Sequence, residues 1–349
     1  MSATRDLPRP HEGYERLMTR GALAVPSTAV LLLASVAVAV LFGTERISLV
    51  RAVTFPDSID HAIVVEARLP RVLLGAVAGG GLALVGVAFQ SLLRNPLAEP
   101  YVLGVSGGAA VGATAAILIG LTGATLYGAS LVPLAALLGG LGATALVYFL
   151  ARRGEVITGT SMLLAGVVVN AIASAIITFA KTLISATQAQ ELLVWLMGFL
   201  DVPSRLSLAF VALYVAIGAV VLLRDAARFN LLALGNESAA HLGLDVDALE
   251  RRTFLACSCI VGAIVSVTGL IGFVGLVVPH ALRRLFGPDV RTLLPASLFG
   301  GGAMLVMCDL LSRLLFRWLH TEPPVGAVTA LVGGPIFLVI LRRKGAMGI

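Results

Sequence analysis

The chain has 349 residues, of which 58% are hydrophobic and 13% are charged, and its mean hydropathy is +0.99. Because soluble domains carry about 25% charged residues, this composition excludes a water-soluble globule. The formal net charge of +6 comes from 25 lysines and arginines that fall mostly in alternate connecting segments. That distribution indicates orientation in a membrane and does not indicate nucleic-acid binding.

The apolar runs predict an all-α polytopic membrane protein with ten transmembrane helices. Most runs have roughly 18 to 25 residues, the length that crosses the hydrocarbon core of a bilayer. The segment 272–282 is shorter and contains Pro279, so it predicts a broken helix enclosed by protein or by a water-filled cavity. The predicted spans are 23–42, 70–92, 102–120, 127–150, 161–183, 205–223, 253–270, 272–282, 293–316 and 324–341.

The arginine distribution places both termini in the cytoplasm. Residues 1–22 are predicted to form a loose cytoplasmic tail, followed by a single transmembrane domain over residues 23–349. The first apolar run exceeds the roughly 7 to 15 residues of a signal-peptide core, so no cleavage is expected. The chain is therefore predicted to be a multi-pass protein of the bacterial inner (cytoplasmic) membrane.

The second and third spans carry the most informative motifs. The second span is predicted to begin at the basic pair of Arg68-Leu-Pro-Arg71 and to end at the turn Asn95-Pro-Leu-Ala-Glu-Pro100. The two prolines of that turn push the residues before them out of the helical region, so the turn is predicted to be rigid. Two glycine pairs have the small-x-x-x-small spacing that allows close helix packing: Gly75 with Gly79, and Gly108 with Gly112.

Two connecting segments are more apolar than ordinary loops. The outer stretch 185–204 predicts a short helix at the membrane surface, with Trp195 as its interfacial anchor. The inner loop 229–244 predicts two short helices, broken at Gly235 and ended at Gly243, with an apolar face. Such a face indicates a partner surface; the alternative is a helix on lipid headgroups, which would favour basic residues that this loop lacks. The residues assigned to the surface are Leu231, Leu234, Gly235, Glu237, Ala239, Leu242 and Gly243, with Leu231, Leu234, Ala239 and Leu242 on the apolar face.

The cysteines and lysines exclude several chemistries. Cys257, Cys259 and Cys308 all fall inside predicted spans, where small buried thiols act as apolar fillers, so no disulfide or metal site is expected. The two lysines are Lys181 and Lys344, and neither lies in a phosphate-binding loop. The chain is therefore not expected to be an enzyme, and any energy from ATP must come from another subunit.

The motifs together resemble the permease subunits of bacterial type II ABC importers for iron–siderophore complexes, haem and vitamin B12, the FecCD-like family. The resemblance covers roughly residues 66–341 in the family's order. The matching stretches are the two motifs of the second span, Leu103–Ala109, Leu164–Gly166, Ala233–Gly235, Gly269–His280, Leu293–Pro295 and Gly333–Pro335. Matching single residues are Gly86, Gln90, Ala239, Leu242, Gly243, Asp309, Arg313, Glu322, Pro324 and Gly326.

The resemblance implies a homodimer with its pore on the two-fold axis. It also implies two ATP-binding cassette ATPase subunits inside and one periplasmic or lipid-anchored substrate-binding protein outside. ATP and magnesium would belong to the ATPase, so no cofactor is expected in this chain. The loop 229–244 would form the coupling helices that dock on the ATPase. By position, the family pattern assigns Asn95, Leu97, Thr160 and Ser161 to the cytoplasmic gate, and Arg68, Arg71 and Arg313 to docking of the binding protein.

The outer-face residues also have local interpretations. Arg68 and Arg71 could extend from a helix end to the lipid headgroups, as long basic side chains commonly do. Asp309 and Arg313, four residues apart on one helical face, could pair with each other as a packing device.

The polar residues nearer the pore have alternatives too. Asn95 and Thr160 could be ordinary helix caps. His280 is interpreted as a hydrogen-bond donor at a helix end rather than as a metal ligand. Asn170 and Lys181 on the fifth span are the best pore-lining candidates, because polar groups within a membrane usually face a cavity.

The sequence thus predicts an importer permease that works by alternating access, driven by a partner's nucleotide cycle. An iron–siderophore complex is the first expectation for the substrate from the family, with cobalamin or haem as alternatives. A different class, an ion-coupled secondary transporter, would need a free carboxylate near the membrane midplane, and Asp309 is the one acid placed deeply by the sequence.

Overall fold

The computed structural model describes residues 10–121, 125–126, 129–153, 156–157 and 159–345. These residues form fifteen α-helices, a π-helical turn Ala62–Arg68 and a 3-10 turn Pro100–Leu103. Two antiparallel pairs of two-residue strands, β1 (Thr125–Leu126) with β2 (Ala129–Ser130) and β3 (Arg152–Arg153) with β4 (Val156–Ile157), precede α6 and α7. The helices are α1 Pro10–Leu41, α2 Leu49–Thr54, α3 Ile59–His61, α4 Leu69–Leu92, α5 Val105–Leu118, α6 Leu131–Ala151, α7 Gly159–Ala180, α8 Ala186–Met197, α9 Arg205–Arg224, α10 Ala226–Leu232, α11 Asn236–His241, α12 Val246–Thr268, α13 Val274–Phe286, α14 Val290–Leu319 and α15 Val325–Gly345.

The helices agree with the ten predicted spans. Seven stretches of the described chain are long and apolar enough to cross a membrane: the apolar part of α1, the run from α3 to α4, and α6, α7, α9, α12 and α14. The shorter α5, α13 and α15 account for the other three spans. α13 is the predicted short helix; its break lies before Val274, and Pro279 is inside the helix. The short outer helix is confirmed as α8, which opens with a capping box between Ser185 and Gln188.

Two predicted boundaries differ from the structure. The first helix starts at Pro10, within the stretch that was expected to be a loose tail, and only its part from Gly21 to Leu41 is apolar enough to span the membrane. The second span does not begin at the basic pair, because the helical path is continuous from Ile59 to Leu92. Its hydrogen bonds switch to the i→i+5 pattern, as from the Leu69 N–H to the Val64 carbonyl, so the helix passes Pro70 without ending.

The buried centre of the molecule is α4, which packs closely on α14. A Cβ added at Gly79 would lie 2.3 Å from the Gly301 carbonyl oxygen, so only glycine permits this backbone contact. The α5–α6 pair repeats the arrangement, since a Cβ at Gly108 would lie 2.3 Å from the Gly139 carbonyl oxygen and one at Gly112 would lie 2.1 Å from that of Ala135. The predicted close packing at these glycines is therefore confirmed.

Candidate translocation and coupling sites

The break between α12 and α13 is capped by the turn that follows α4. Gly269 and Phe273, on either side of the break, both have left-handed backbone conformations, with φ of 66° and 68°. The Ile271 N–H donates to the Tyr101 hydroxyl at 3.0 Å, and the Phe273 N–H donates to Glu99 Oε1 at 2.7 Å. Because unpaired backbone groups are costly in a membrane, these two side chains supply acceptors that the broken helix lacks.

The same junction is held from α4 itself. Gln90 Nε2 donates to the carbonyls of Gly275 and Leu276 at 3.3 and 3.5 Å, and a Cβ at Gly86 would lie only 1.9 Å from the Gly275 oxygen. The family motif around residues 86–100 thus has a structural role. It fixes a discontinuous helix inside the protein, which is the environment predicted for α13.

The outer helix α8 and the start of α15 close the junction on its other side. The Phe199 N–H donates to the Thr268 carbonyl at 3.0 Å, and the Gly326 N–H donates to the Gly198 carbonyl at 3.1 Å. A Cβ at Gly198, whose φ is 73°, would lie 2.1 Å from the Leu270 oxygen. Trp195 is partly buried against the core, so α8 is attached to the protein as well as placed at the surface.

A cleft of about 360 Å³ with both polar and apolar walls lies between α5 and α7, beside Leu196 of α8 and Leu270 of the helix break. It brings together both predicted pore-lining residues, Asn170 and Lys181, with Ser106, Ser174 and Thr178. Asn170 Nδ2 donates to the Tyr101 carbonyl at 2.9 Å, which joins the cleft to the turn that caps the helix break. The sequence did not predict this role of Tyr101, because the residue follows directly after the Asn95–Pro100 turn motif and is not part of it.

At the cytoplasmic end the predicted gate residues have different environments. Asn95 Oδ1 accepts from the Leu97 N–H at 2.9 Å, so the asparagine side chain stabilises the turn in which it lies. This local bond resembles the helix-capping role that was the alternative to gating. Leu97 is about half exposed, and Ser161 is partly buried near the start of α7. The Thr160 side chain lies outside the described residues. The gating role of these four residues stays a prediction.

The inner loop forms the two short helices that were predicted, α10 and α11. They are separated at Gly235, with φ of 108°, and α11 is followed by Gly243, with φ of 85°. The composition of the apolar face is partly wrong, because Ala239 is fully buried beneath the loop. The exposed apolar residues are Leu234 and Leu242, at 63% and 60% exposure.

The loop is anchored to the start of α14. Asn230 Nδ2 donates to Asp289 Oδ1 at 2.7 Å, and Asn230 Oδ1 accepts from the Val290 N–H at 3.0 Å. Hydrogen bonds from Arg291 and then from Asn230 hold the pKa of Asp289 below its ordinary value. Asn230 was missed from the sequence because its partner lies far away in the chain.

The outer arginines assigned to docking have partners inside the protein, and their docking role stays a prediction. Arg68 is 6% exposed and donates to the Val40 and Leu41 carbonyls, each at 3.1 Å. Arg313 is 4% exposed and donates to the Ala39 and Phe42 carbonyls. The carbonyls at the end of α1 lack donors within the helix, and these guanidinium groups supply them. The exposed Arg317 adds bonds to Gly43 and Thr44 at 2.7 and 3.1 Å.

Arg71 belongs to a buried charge network rather than to the lipid surface. It bonds Asp309 Oδ1 at 2.9 Å through Nε and pairs with Glu322. Arg313 Nε binds the other oxygen of Asp309 at 2.9 Å, so the predicted Asp309–Arg313 pair is confirmed. Asp309 is therefore neutralised by two guanidinium groups and is not a free carboxylate.

The histidine and the three cysteines have the following environments. His280 is buried and lies edge-on to Phe337, with ring centroids 5.8 Å apart. Cys257, Cys259 and Cys308 are free thiols. Across the described ranges, no group of three or more histidine, cysteine, aspartate or glutamate residues is arranged to hold a metal ion.

A discontinuous helix beside a polar cleft, together with an anchored helical loop on the cytoplasmic side, defines a multi-spanning membrane transport protein. The FecCD transport family model matches residues 30–343, and the chain belongs to that family. It is a multi-pass inner-membrane permease of the ABC importer type.

Similar proteins support this assignment. The chain is 42% identical to the cobalamin import system permease protein BtuC of Halobacterium salinarum, over 81% of this chain and 74% of that protein. It is 36% identical to the hemin transport system permease protein HmuU of Yersinia pestis, over 82% and 85% of the two chains. A solved ABC transporter, described as of the metal-chelate type in an inward-facing conformation, matches with a TM-score of 0.81 and 28% identity, over 91% of this chain and 98% of that one.

Proposed function

We propose that the chain is the permease subunit of an ATP-driven importer that moves a large metal chelate inward by alternating access. The carrying observation is the helical loop α10–α11, which exposes Leu234 and Leu242 to the cytoplasm while Asn230 ties it to α14. An exposed apolar surface that is hydrogen-bonded to a transmembrane helix is typical of a site where an ATPase subunit docks and transmits its conformational change. Hydrolysis of ATP belongs to that separate subunit.

The proposal includes a homodimer with two ATPase subunits and one substrate-binding protein. The cleft beside α7 supports the dimer, because Ser174 and Thr178 on this membrane helix and Lys181 just after its end are exposed. Polar side chains at such positions are unfavourable against lipid. A second copy facing the cleft across a two-fold axis would enclose it as a water-filled path.

Cobalamin and haem are the substrates that we favour. The named relatives transport cobalamin or hemin, whereas none of these names supports an iron–siderophore complex specifically. All three substrates are bulky chelates, so an iron–siderophore complex is kept as the third test substrate.

The ion-coupled alternative has little support. It needs a titrating carboxylate within the membrane, and Asp309 is bound by Arg71 and Arg313. An acid held by two guanidinium groups is poorly suited to accept and release protons.

The test is reconstitution of the permease in vesicles with its ATPase and binding protein. We expect ATP-dependent uptake of cyanocobalamin, haemin or a ferric siderophore, and no uptake when the ATPase carries a substitution of its phosphate-loop lysine. Uptake that a proton or sodium gradient drives without ATP would refute the proposal and favour the secondary transporter.

A further inference from the structure

Helix α7 carries a polar stripe on an otherwise apolar membrane helix. Asn170, Ser174 and Thr178 are spaced by four residues and lie along one face of α7. Lys181 extends this stripe by three residues, directly after the helix end, and its N–H still donates to the Ile177 carbonyl at 3.0 Å. The stripe runs from the middle of the helix to its outer end. The rest of the helix is built from alanine, valine, isoleucine and other apolar residues, so this face is set apart by the sequence itself.

The stripe lines the cleft of about 360 Å³ together with Ser106 of α5. The deeper part of the cleft contains an unmet acceptor, since Asn170 Oδ1 is buried and has no hydrogen-bond partner among the described residues. The outer part contains the Lys181 ammonium group, which is exposed and forms no ion pair with any carboxylate of the described chain. The cleft therefore offers unsatisfied polar groups at both ends.

Lys181 differs from four of the other basic residues on the outer side. Arg68, Arg313 and Arg317 are occupied by the carbonyls at the end of α1, and Arg71 is paired with Asp309. A basic residue on this side also opposes the usual excess of positive charge inside. No structural partner in the described ranges accounts for Lys181, although it stands at the mouth of the cleft.

We propose that Lys181 is a specificity-determining residue that meets an anionic group of the substrate, so that the transporter favours chelates bearing carboxylates over neutral chelates of the same size. The inference rests on the proposed function and narrows its substrate class. A charge at the outer mouth attracts an anion before the substrate enters, and the surrounding hydroxyls and Asn170 offer hydrogen bonds along the path.

A lipid phosphate offers the same chemistry as a substrate carboxylate. Lys181 lies at the outer end of a span, where basic side chains commonly reach headgroups. The experiment must therefore separate substrate charge from lipid charge.

The probes are cyanocobalamin and its monocarboxylic acid derivative, in which one side-chain amide is hydrolysed. The pair differs by one charge at nearly constant size. ATP-dependent uptake of each is measured in reconstituted vesicles of phosphatidylcholine, with or without phosphatidylglycerol, for the wild type, Lys181→Gln and Lys181→Arg. The matched control is Arg205→Gln, which removes an exposed outer charge at the start of α9 that does not line the cleft.

We expect Lys181→Gln to reduce uptake of the carboxylate relative to the neutral probe by roughly 1.5- to 5-fold, the range for one exposed charge pair. Lys181→Arg should keep most of the preference, and Arg205→Gln should leave it unchanged.

An equal effect of Lys181→Gln on both probes, or an effect that appears only with phosphatidylglycerol, would overturn the inference and identify a lipid anchor, while the proposed function would stand. If the wild type takes up neither probe, nor haemin, nor a ferric siderophore, the proposed substrate class fails and the inference fails with it.

Discussion

Replacing Arg313 by methionine should destabilise the protein far more than replacing Arg317. Arg313 is buried, its Nε lies 2.9 Å from Asp309 Oδ2, and its Nη1 donates to the Ala39 carbonyl at 3.1 Å and the Phe42 carbonyl at 3.3 Å. Methionine fills similar volume but leaves two carbonyls without these donors and Asp309 with Arg71 as its remaining guanidinium partner. Breaking a buried ion pair on one side typically lowers the free energy of unfolding by about 3 to 5 kcal/mol.

Arg317 provides the matched control because it also binds two carbonyls of the same segment, Gly43 and Thr44, but is exposed. Water can replace its hydrogen bonds, so Arg317→Met should lower the free energy of unfolding by only about 0.5 to 1.5 kcal/mol. The assay is equilibrium unfolding in mixed micelles with increasing sodium dodecyl sulfate, followed by the fluorescence of the two tryptophans.

A double-mutant cycle with Asp309→Asn isolates the ion pair, and coupling of at least about 1 kcal/mol is expected for groups in direct contact. If Arg313→Met costs no more than Arg317→Met, the buried network does not stabilise the fold. If Arg313→Met instead leaves stability unchanged and weakens binding of the substrate-binding protein, the result supports the docking role that the family pattern implies.

Three further outcomes follow from the structure. Leu242→Asp should abolish co-purification of the ATPase with the folded permease, whereas Ala240→Asp on the same exposed loop should have a weaker effect; normal yield of the complex with Leu242→Asp would contradict the coupling assignment. Gly86→Ala should lower the melting temperature in detergent because its Cβ would meet the Gly275 oxygen at 1.9 Å, while Gly142→Ala, with no atom within 4 Å, should not; equal melting temperatures would rule out the close contact. The lowered pKa of Asp289 means that its charged form stabilises the fold at pH values above the ordinary carboxyl pKa of about 3.8. This stabilisation is lost as the pH falls through the lower pKa of the folded state. Asp289→Asn should remove that part of the acid dependence in a pH series of melting curves.

The spans and the inner loop could be predicted because their signals are local. The length of an apolar run can be compared directly with the thickness of the bilayer core. Gly235 and Gly243 predict helix ends from the local sequence alone. Close helix packing at Gly79, Gly108 and Gly112 could also be predicted from the small-x-x-x-small spacing. Gly75 is different, because a Cβ there would first meet the Leu200 and Val306 side chains, at 3.2 and 3.5 Å.

The environment of the outer arginines could not be predicted in the same way. Their partners are the carbonyls of α1 and a carboxylate on α14, which come together only when the helices pack. The family motif identified Arg68 and Arg313 as special, but the sequence alone could not say whether they face outward or inward. Ala239 shows the same limit, because periodicity defines a helix face and leaves open which face is covered.

The start of α1 illustrates a third kind of limit. Charged residues such as glutamate and arginine are good helix formers, so a polar stretch next to an apolar helix can extend it without crossing the membrane. The apolar boundary near Gly21 was readable, whereas the helical boundary at Pro10 was not.

The capping of α1 by distant arginines has a consequence for how the protein is made. α1 is synthesised first, yet the donors for its Ala39 carbonyl and for the Phe42, Gly43 and Thr44 carbonyls that follow it belong to α14. α14 leaves the ribosome nearly last. Until then the outer end of α1 is completed by water and by Arg68 alone among these arginines. The hydrogen bonds that fix the outer end of the first helix are therefore completed late in biogenesis. A chain truncated before α14 would lack these donors at the end of α1.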